Sequence, residues 1–170
     1  MIKNQPNKNK KRQTILILPD IRSALNVGSI FRTAEAVGIS KIYLTGHSPC
    51  PVDRFNRIRK DIAKSSLGAE LFVPWEYKKN LSSLFLKLKK ENYKIIAIEQ
   101  DENSINYKKI KLSFNKDKKI AFVVGTELSG LPKNILKKCD LIAEIPMKGK
   151  KESLNVSVAT GIALFQILDI

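Results

Sequence analysis

TILILPDIRSALNVGSIFRTAEAVGISKIYL, the stretch from Thr14 to Leu44, decides the fold class. Thr14–Leu18 is apolar or β-branched on consecutive positions, the pattern of a strand covered on both sheet faces. From Val27 the spacing changes. Val27, Ile30, Phe31, Ala34 and Val37 fall on one face of a helix over Val27–Val37, and Gly38 supplies its stop. A second β-branched run, Lys41–Leu44, follows. The same alternation continues outward, with further strands expected at Leu71–Val73, Lys94–Ile98, Ile120–Val124 and Leu141–Ile145. Helical stretches are expected at Arg54–Ser65, Leu81–Glu91, Pro132–Lys138 and from Leu154 onward. Strand and helix alternating in this way predict an α/β fold: a mainly parallel sheet with helices on both faces.

At 170 residues and 43% hydrophobic, the chain is long enough to bury one core. Met1–Gln13 carries five basic residues and no acid, so residues 1–13 are expected to be an arm disordered in isolation, and residues 14–170 the folded domain. Lys and Arg total 31 against 16 Asp and Glu, a net charge of +15 that makes nucleic acid the leading partner class. The expectation is a cytoplasmic protein, since no apolar run reaches the roughly 20 residues of a membrane span and no signal peptide is visible. Two distant cysteines, Cys50 and Cys139, and one histidine, His47, make neither a disulfide framework nor a metal site. His47 and Trp75 are expected to pack, and the cysteines to be structural thiols.

Two helices say more. Opposite the apolar face of the first, Arg32 is flanked by the small residues Ser29 and Ala36, as if a substrate or a second subunit packs there. The last helix is apolar on nearly every side. A chain this small covers one side of such a helix, so a homodimer is expected, a fully internal helix being the alternative.

Three segments each follow a predicted strand and lead into a helix, where ligands sit in open parallel sheets. They are Asn26-Val-Gly-Ser-Ile-Phe-Arg32-Thr-Ala, Gly125-Thr-Glu127-Leu-Ser-Gly130-Leu-Pro, and Ile145-Pro-Met147-Lys-Gly149-Lys-Lys-Glu-Ser153-Leu-Asn155-Val-Ser. Singly, each has an ordinary reading: a turn glycine, Pro132 at a helix start, Ser153 or Asn155 as a helix cap. Together and in order, they resemble the SpoU/TrmH branch of the SPOUT superfamily, the RNA 2′-O-ribose methyltransferases. The likeness extends over about Thr14 to Leu168 and meets every fixed position of that pattern.

The resemblance implies a C-terminal trefoil knot, S-adenosylmethionine as methyl donor, RNA as substrate and a homodimer with its site near the subunit boundary. It places the cofactor against Ile98, Glu99, Gly125, Glu127, Ile145, Met147, Ser153 and Leu154. It gives the catalytic positions as Arg32, Asn26, Glu127, Ser153 and Asn155. A guanidinium pKa above roughly 12 suits Arg32 to binding the adjacent phosphate and stabilising alkoxide charge rather than to acting as base. Asn26 is then expected to fix the Arg32 rotamer.

The RNA surface is expected at Arg32, at Arg54, Arg57 and Lys60 on a basic helix, and at Lys148, Lys150 and Lys151 inside the third motif. Compact members of such a family point to tRNA ahead of rRNA. A non-catalytic RNA-binding or ribosome-assembly protein is the alternative, against which the intact polar set argues. A nicotinamide dehydrogenase lacks its glycine fingerprint here.

Overall fold

The computed structural model describes residues 12–113, 118–126 and 130–170. The basic arm expected over 1–13 falls outside them up to residue 11, and so does Glu127.

Among the described residues, seven strands form one sheet: β1 (Gln13–Pro19), β2 (Lys41–Thr45), β3 (Trp75–Lys78), β4 (Lys94–Ile98), β5 (Ile105–Asn106), β6 (Lys119–Val124) and β7 (Leu141–Glu144). They lie in the order β3-β2-β1-β6-β4-β7-β5, and every pairing is parallel. The helices are α1 (Ala24–Ala36), α2 (Lys60–Ser66), α3 (Ala69–Phe72), α4 (Leu81–Lys90), α5 (Lys133–Leu136) and α6 (Val156–Leu168).

Strand alternation divides the interior into two layers. Leu16, Leu18, Ile42, Leu44, Ile96, Ile98, Ile120 and Phe122 point toward α1, α2, α3 and α6, where Ile30, Phe31, Ile62 and Leu164 meet them. Ile15, Ile17, Tyr43, Ile95, Ala97, Ala121 and Val123 point the other way, toward Leu84, Phe85 and Leu88 of α4 and Ile135 and Leu136 of α5. Both faces are therefore dry, which is why these strands read as unbroken apolar runs.

The predicted face of α1 is the buried one: Val27, Ile30, Phe31 and Ala34 are fully inaccessible. The helix begins three residues earlier than its apolar spacing suggests, because Ser23 caps it by accepting from the Asn26 N–H at 3.3 Å. Gly28 has a role that motif spacing hides. A Cβ there would collide with Ser65 Oγ and the Ile62 carbonyl, so the glycine permits α1 and α2 to cross closely.

Three expectations need correction. Residues 54–59 are not helical, since α2 begins only at Lys60. The Asp53 carboxylate accepts the Phe55 and Arg57 N–H groups at 2.8 and 3.0 Å, and Val52 pairs with Ile58, turning the segment into a short hairpin. Arg54 and Arg57 thus stand on this hairpin rather than on a basic helix. Leu71–Val73 is not a strand either. Leu67 and Gly68 adopt left-handed conformations that end α2 and restart the chain as α3, so the apolar Leu71 and Phe72 lie exposed on a helical turn. The strand comes later, at Trp75–Lys78, and Trp75 packs against the core as expected. Finally, His47 does not pack: it is exposed beside Asp20, whose Oδ1 accepts the His47 N–H at 3.0 Å and lies 2.7 Å from Nδ1.

Candidate active site

The carboxyl ends of β4, β6 and β7 open into a cleft of about 430 Å³, within the usual range for small-molecule sites. It lies beside the point where strand order reverses, since β2 and β3 build outward from one side of β1 and the later strands from the other.

Each wall comes from a different strand end. β4 delivers Ile98, Glu99 and Gln100, and the Glu99 N–H extends the ladder by donating to the Ala143 carbonyl at 3.0 Å. The Glu99 carboxylate is anchored at both oxygens, Oε1 by the Gln100 N–H and Oε2 by the Leu131 N–H, each at 2.9 Å. β6 delivers Val124, Gly125 and Thr126. At Gly125 a Cβ would collide with Glu99 Oε2, so a side chain there would have to push this carboxylate off its amide anchors. Thr126 Oγ1 donates to the Gly130 carbonyl at 2.9 Å and closes that turn.

β7 leads into Ile145 and Met147, and the chain returns through Ser153, Leu154 and Asn155 to α6. Gln100 Nε2 donates to the Glu152 carbonyl at 2.6 Å and pins this returning segment to the β4 loop. Asn155 caps α6, its Oδ1 accepting from the Ser157 and Val158 N–H groups at 2.9 and 3.4 Å. Its Nδ2 donates to Asn26 Oδ1 at 3.1 Å, so the first and third motifs meet at the cleft wall.

The cleft therefore gathers Asn26, Ile98, Glu99, Gly125, Ile145, Met147, Ser153, Leu154 and Asn155 from the expected set. It does not gather Arg32, which is exposed on α1 away from the lining and pairs with no acid among the described residues. No hydrogen bond joins Asn26 to Arg32 among the described residues; the Asn26 oxygen accepts from Asn155. Lys148, Lys150 and Lys151 stand exposed on the β7–α6 segment that forms one wall. Lys60 opens α2, away from the lining. Sequence reading missed Gln100, Val124, Thr126, Ala143, Val156, Ala159 and Thr160. For Gln100 the only available signal was adjacency to Glu99. Among the described residues no three His, Cys, Asp or Glu side chains cluster as a metal ion requires.

The profile of the SpoU rRNA Methylase family matches residues 13–165. A Staphylococcus saprophyticus protein assigned to the TrmH family of tRNA/rRNA methyltransferases is 32% identical over 157 residues, covering 92% of this chain and 59% of that relative. The AdoMet-bound rRNA methyltransferase from Sinorhizobium meliloti superposes with a TM-score of 0.78 at 27% identity, over 93% of this chain and 57% of that one. The A. aeolicus TrmH/SpoU tRNA modifying enzyme gives 0.76 at 26% identity, over 95% of this chain and 76% of that one. The chain spans about three fifths of the length of such curated relatives.

Proposed function

Since the chain belongs to the SpoU rRNA Methylase family, we propose that it transfers a methyl group from S-adenosylmethionine to a ribose 2′-hydroxyl of RNA, with tRNA ahead of rRNA. The observation that carries this reading is the convergence of all three motifs on one cleft at the carboxyl end of the sheet.

The cleft suits the methyl donor on its own chemistry. Ile98, Val124, Ala143, Ile145, Met147 and Leu154 supply an apolar slot for a purine, and backbone groups at the strand ends can read its edge. Glu99 keeps acceptor capacity beyond its two amide bonds, enough for a ribose hydroxyl. When bound, S-adenosylmethionine would supply an electrophilic methyl group for the ribose oxygen, with the neutral thioether as leaving group and the hydroxyl proton passing to solvent.

The protein's share is alignment and charge. Asn26 and Asn155, locked together, form a polar corner from which the reacting ribose is oriented, and Ser153 borders it. Arg32 binds the neighbouring phosphate and stabilises charge developing on the 2′-oxygen. Glu127 belongs to the same reading and lies outside the described residues.

Arg32 reaches the reacting group at a subunit boundary. What supports a homodimer is α6: Val158, Ile162 and Phe165 form an exposed apolar row, continued by Ile170. The threading of the returning segment as a trefoil knot, the placing of the activity in residues 14–170 and a cytoplasmic location belong to the same proposal. No helix among the described residues is long and apolar enough to cross a membrane. Arg54, Arg57, Lys60, Lys148, Lys150 and Lys151 are proposed to carry phosphates. Support for tRNA comes from the A. aeolicus tRNA modifying enzyme, of which the chain covers the larger share.

The test is methyl-labelled S-adenosylmethionine with separate tRNA and rRNA pools, product nucleosides being resolved by mass. A 2′-O-methylated nucleoside is expected from the tRNA pool. Arg32→Ala is expected to cut transfer about 100-fold or more, well beyond the loss of RNA affinity that one phosphate contact accounts for. A labelled base in place of ribose, or no labelled RNA, overturns the proposal.

A further inference from the structure

The hairpin after β2 displays Phe55 with 61% of its surface exposed. A single exposed aromatic is ordinary, but this one has a built setting. The Arg54 guanidinium carbon stands 4.7 Å from the ring centroid and that of Arg57 5.0 Å. The backbone beneath is held in one shape. Asp53 N–H donates to the Arg57 carbonyl at 2.9 Å, Asn56 N–H to the Asp53 carbonyl at 3.0 Å, and Arg57 Nε to Asp53 Oδ2 at 2.8 Å. The ring is thus presented with little ordering left to lose on binding.

Its place and charge point to the occupant. The hairpin leaves the carboxyl end of β2, the same rim of the sheet as the cleft, and β2 is separated from β6 by β1 alone. Arg57 is compensated by Asp53, whereas Arg54 pairs with no acid among the described residues, in a chain of net charge +15. Two guanidinium groups lying over one exposed ring suit a polyanion whose units carry flat faces, the guanidinium planes and the uncovered part of the ring being the surface on which a base can lie.

We propose that Phe55, flanked by Arg54 and Arg57, is a stacking platform for an unpaired base of the RNA substrate, outside the methyl-transfer cleft. This rests on the RNA-methylating reading and adds to it a residue that reads substrate shape rather than charge.

The test is equilibrium binding of labelled unfractionated tRNA to the full chain across a salt series. Phe55→Ala is expected to weaken binding about ten- to hundred-fold at every salt concentration, leaving the salt slope and S-adenosylmethionine affinity unchanged. Arg54→Ala is expected instead to flatten the slope by about one. Phe55→Trp is expected to bind like wild type, with fluorescence quenched on adding RNA beyond the change seen from Trp75 alone. Wild-type affinity in Phe55→Ala, where the parent chain binds tRNA, overturns the platform alone. A parent chain that binds no RNA overturns the methylation reading and the platform together. A Phe55→Ala protein that changes its oligomeric state in sedimentation shows that the ring faces another copy, which also overturns it.

Discussion

Asn155 Nδ2 donates to Asn26 Oδ1 at 3.1 Å, joining residues 129 positions apart at the point where α1 and α6 both begin. Asn155 also caps α6 through its other amide atom, so it has two separable roles. Asn155→Ala removes both and is expected to cost about 1 kcal/mol, or about 2–4 °C in melting temperature. Asn26→Ala leaves the cap intact. Thermal unfolding should show a smaller loss for it, while methyl transfer falls as far as in Asn155→Ala. Equal stability losses with unequal activity losses would contradict the division of roles.

The Glu99 carboxylate occupies the space a side chain at Gly125 would need. Gly125→Ala is therefore expected to expel it from the Leu131 N–H and to destabilise the chain by about 1–3 kcal/mol. Adding Glu99→Ala should remove the collision, so the double variant melts above the value additivity gives. Calorimetry on the four proteins checks this. Strict additivity would mean that the two positions do not meet.

Between β2 and β3, Lys41 Nζ bonds Glu76 at 2.7 Å and Lys78 pairs with its other oxygen. The hydrogen bonds from Lys41 and Lys78 pull the Glu76 carboxyl from 4.5 down to about 2. A depressed carboxyl stabilises the fold above its unfolded pKa and ceases to do so as pH falls through its folded one. With 35% of the side chain exposed, screening reduces the contribution to about 1 kcal/mol. Glu76→Gln should melt about 2–4 °C below wild type at pH 7, the gap narrowing from pH 4.5 toward pH 2. A gap that does not change with pH would show that the cluster contributes nothing.

Burial pushes the Cys139 thiol up to about 12, the Asp140 charge adding to it. Burial also raises the Cys50 thiol, against the opposing charge of Arg59. Thiolate is the reactive form, so both cysteines should resist iodoacetamide at pH 8 in the folded chain and react in guanidinium. Peptide mapping reads this out, and prompt labelling of Cys139 in the native protein would contradict its setting.

The β1-α1-β2 unit was legible because its periodicity and its burial agree residue by residue, from Leu16 to Leu44. Legibility ended where local side chains overrode spacing. Asp53 turns residues 53–59 into a hairpin through hydrogen bonds no apolar pattern reports. Leu71 and Phe72 read as strand from composition although both face water. β5 spans two residues, too few to give a period. In the cleft, motif residues were found because they follow strand ends. Gln100 and Thr160 were not, since they line the cleft beside residues distant in sequence, Gln100 through its bond to the Glu152 carbonyl. Arg32 was recognised by its motif and yet lies off the lining, a position that the proposed homodimer would explain.

The most direct test of the account is calorimetric titration of the purified chain with S-adenosylmethionine, in wild type and in Ala159→Phe, which fills the cleft wall from α6. The account predicts saturable binding at one site per chain in wild type, and loss of that binding in Ala159→Phe while the far-ultraviolet spectrum stays unchanged. Binding of equal strength in both proteins, or none in wild type, would contradict the assignment of this cleft to the methyl donor.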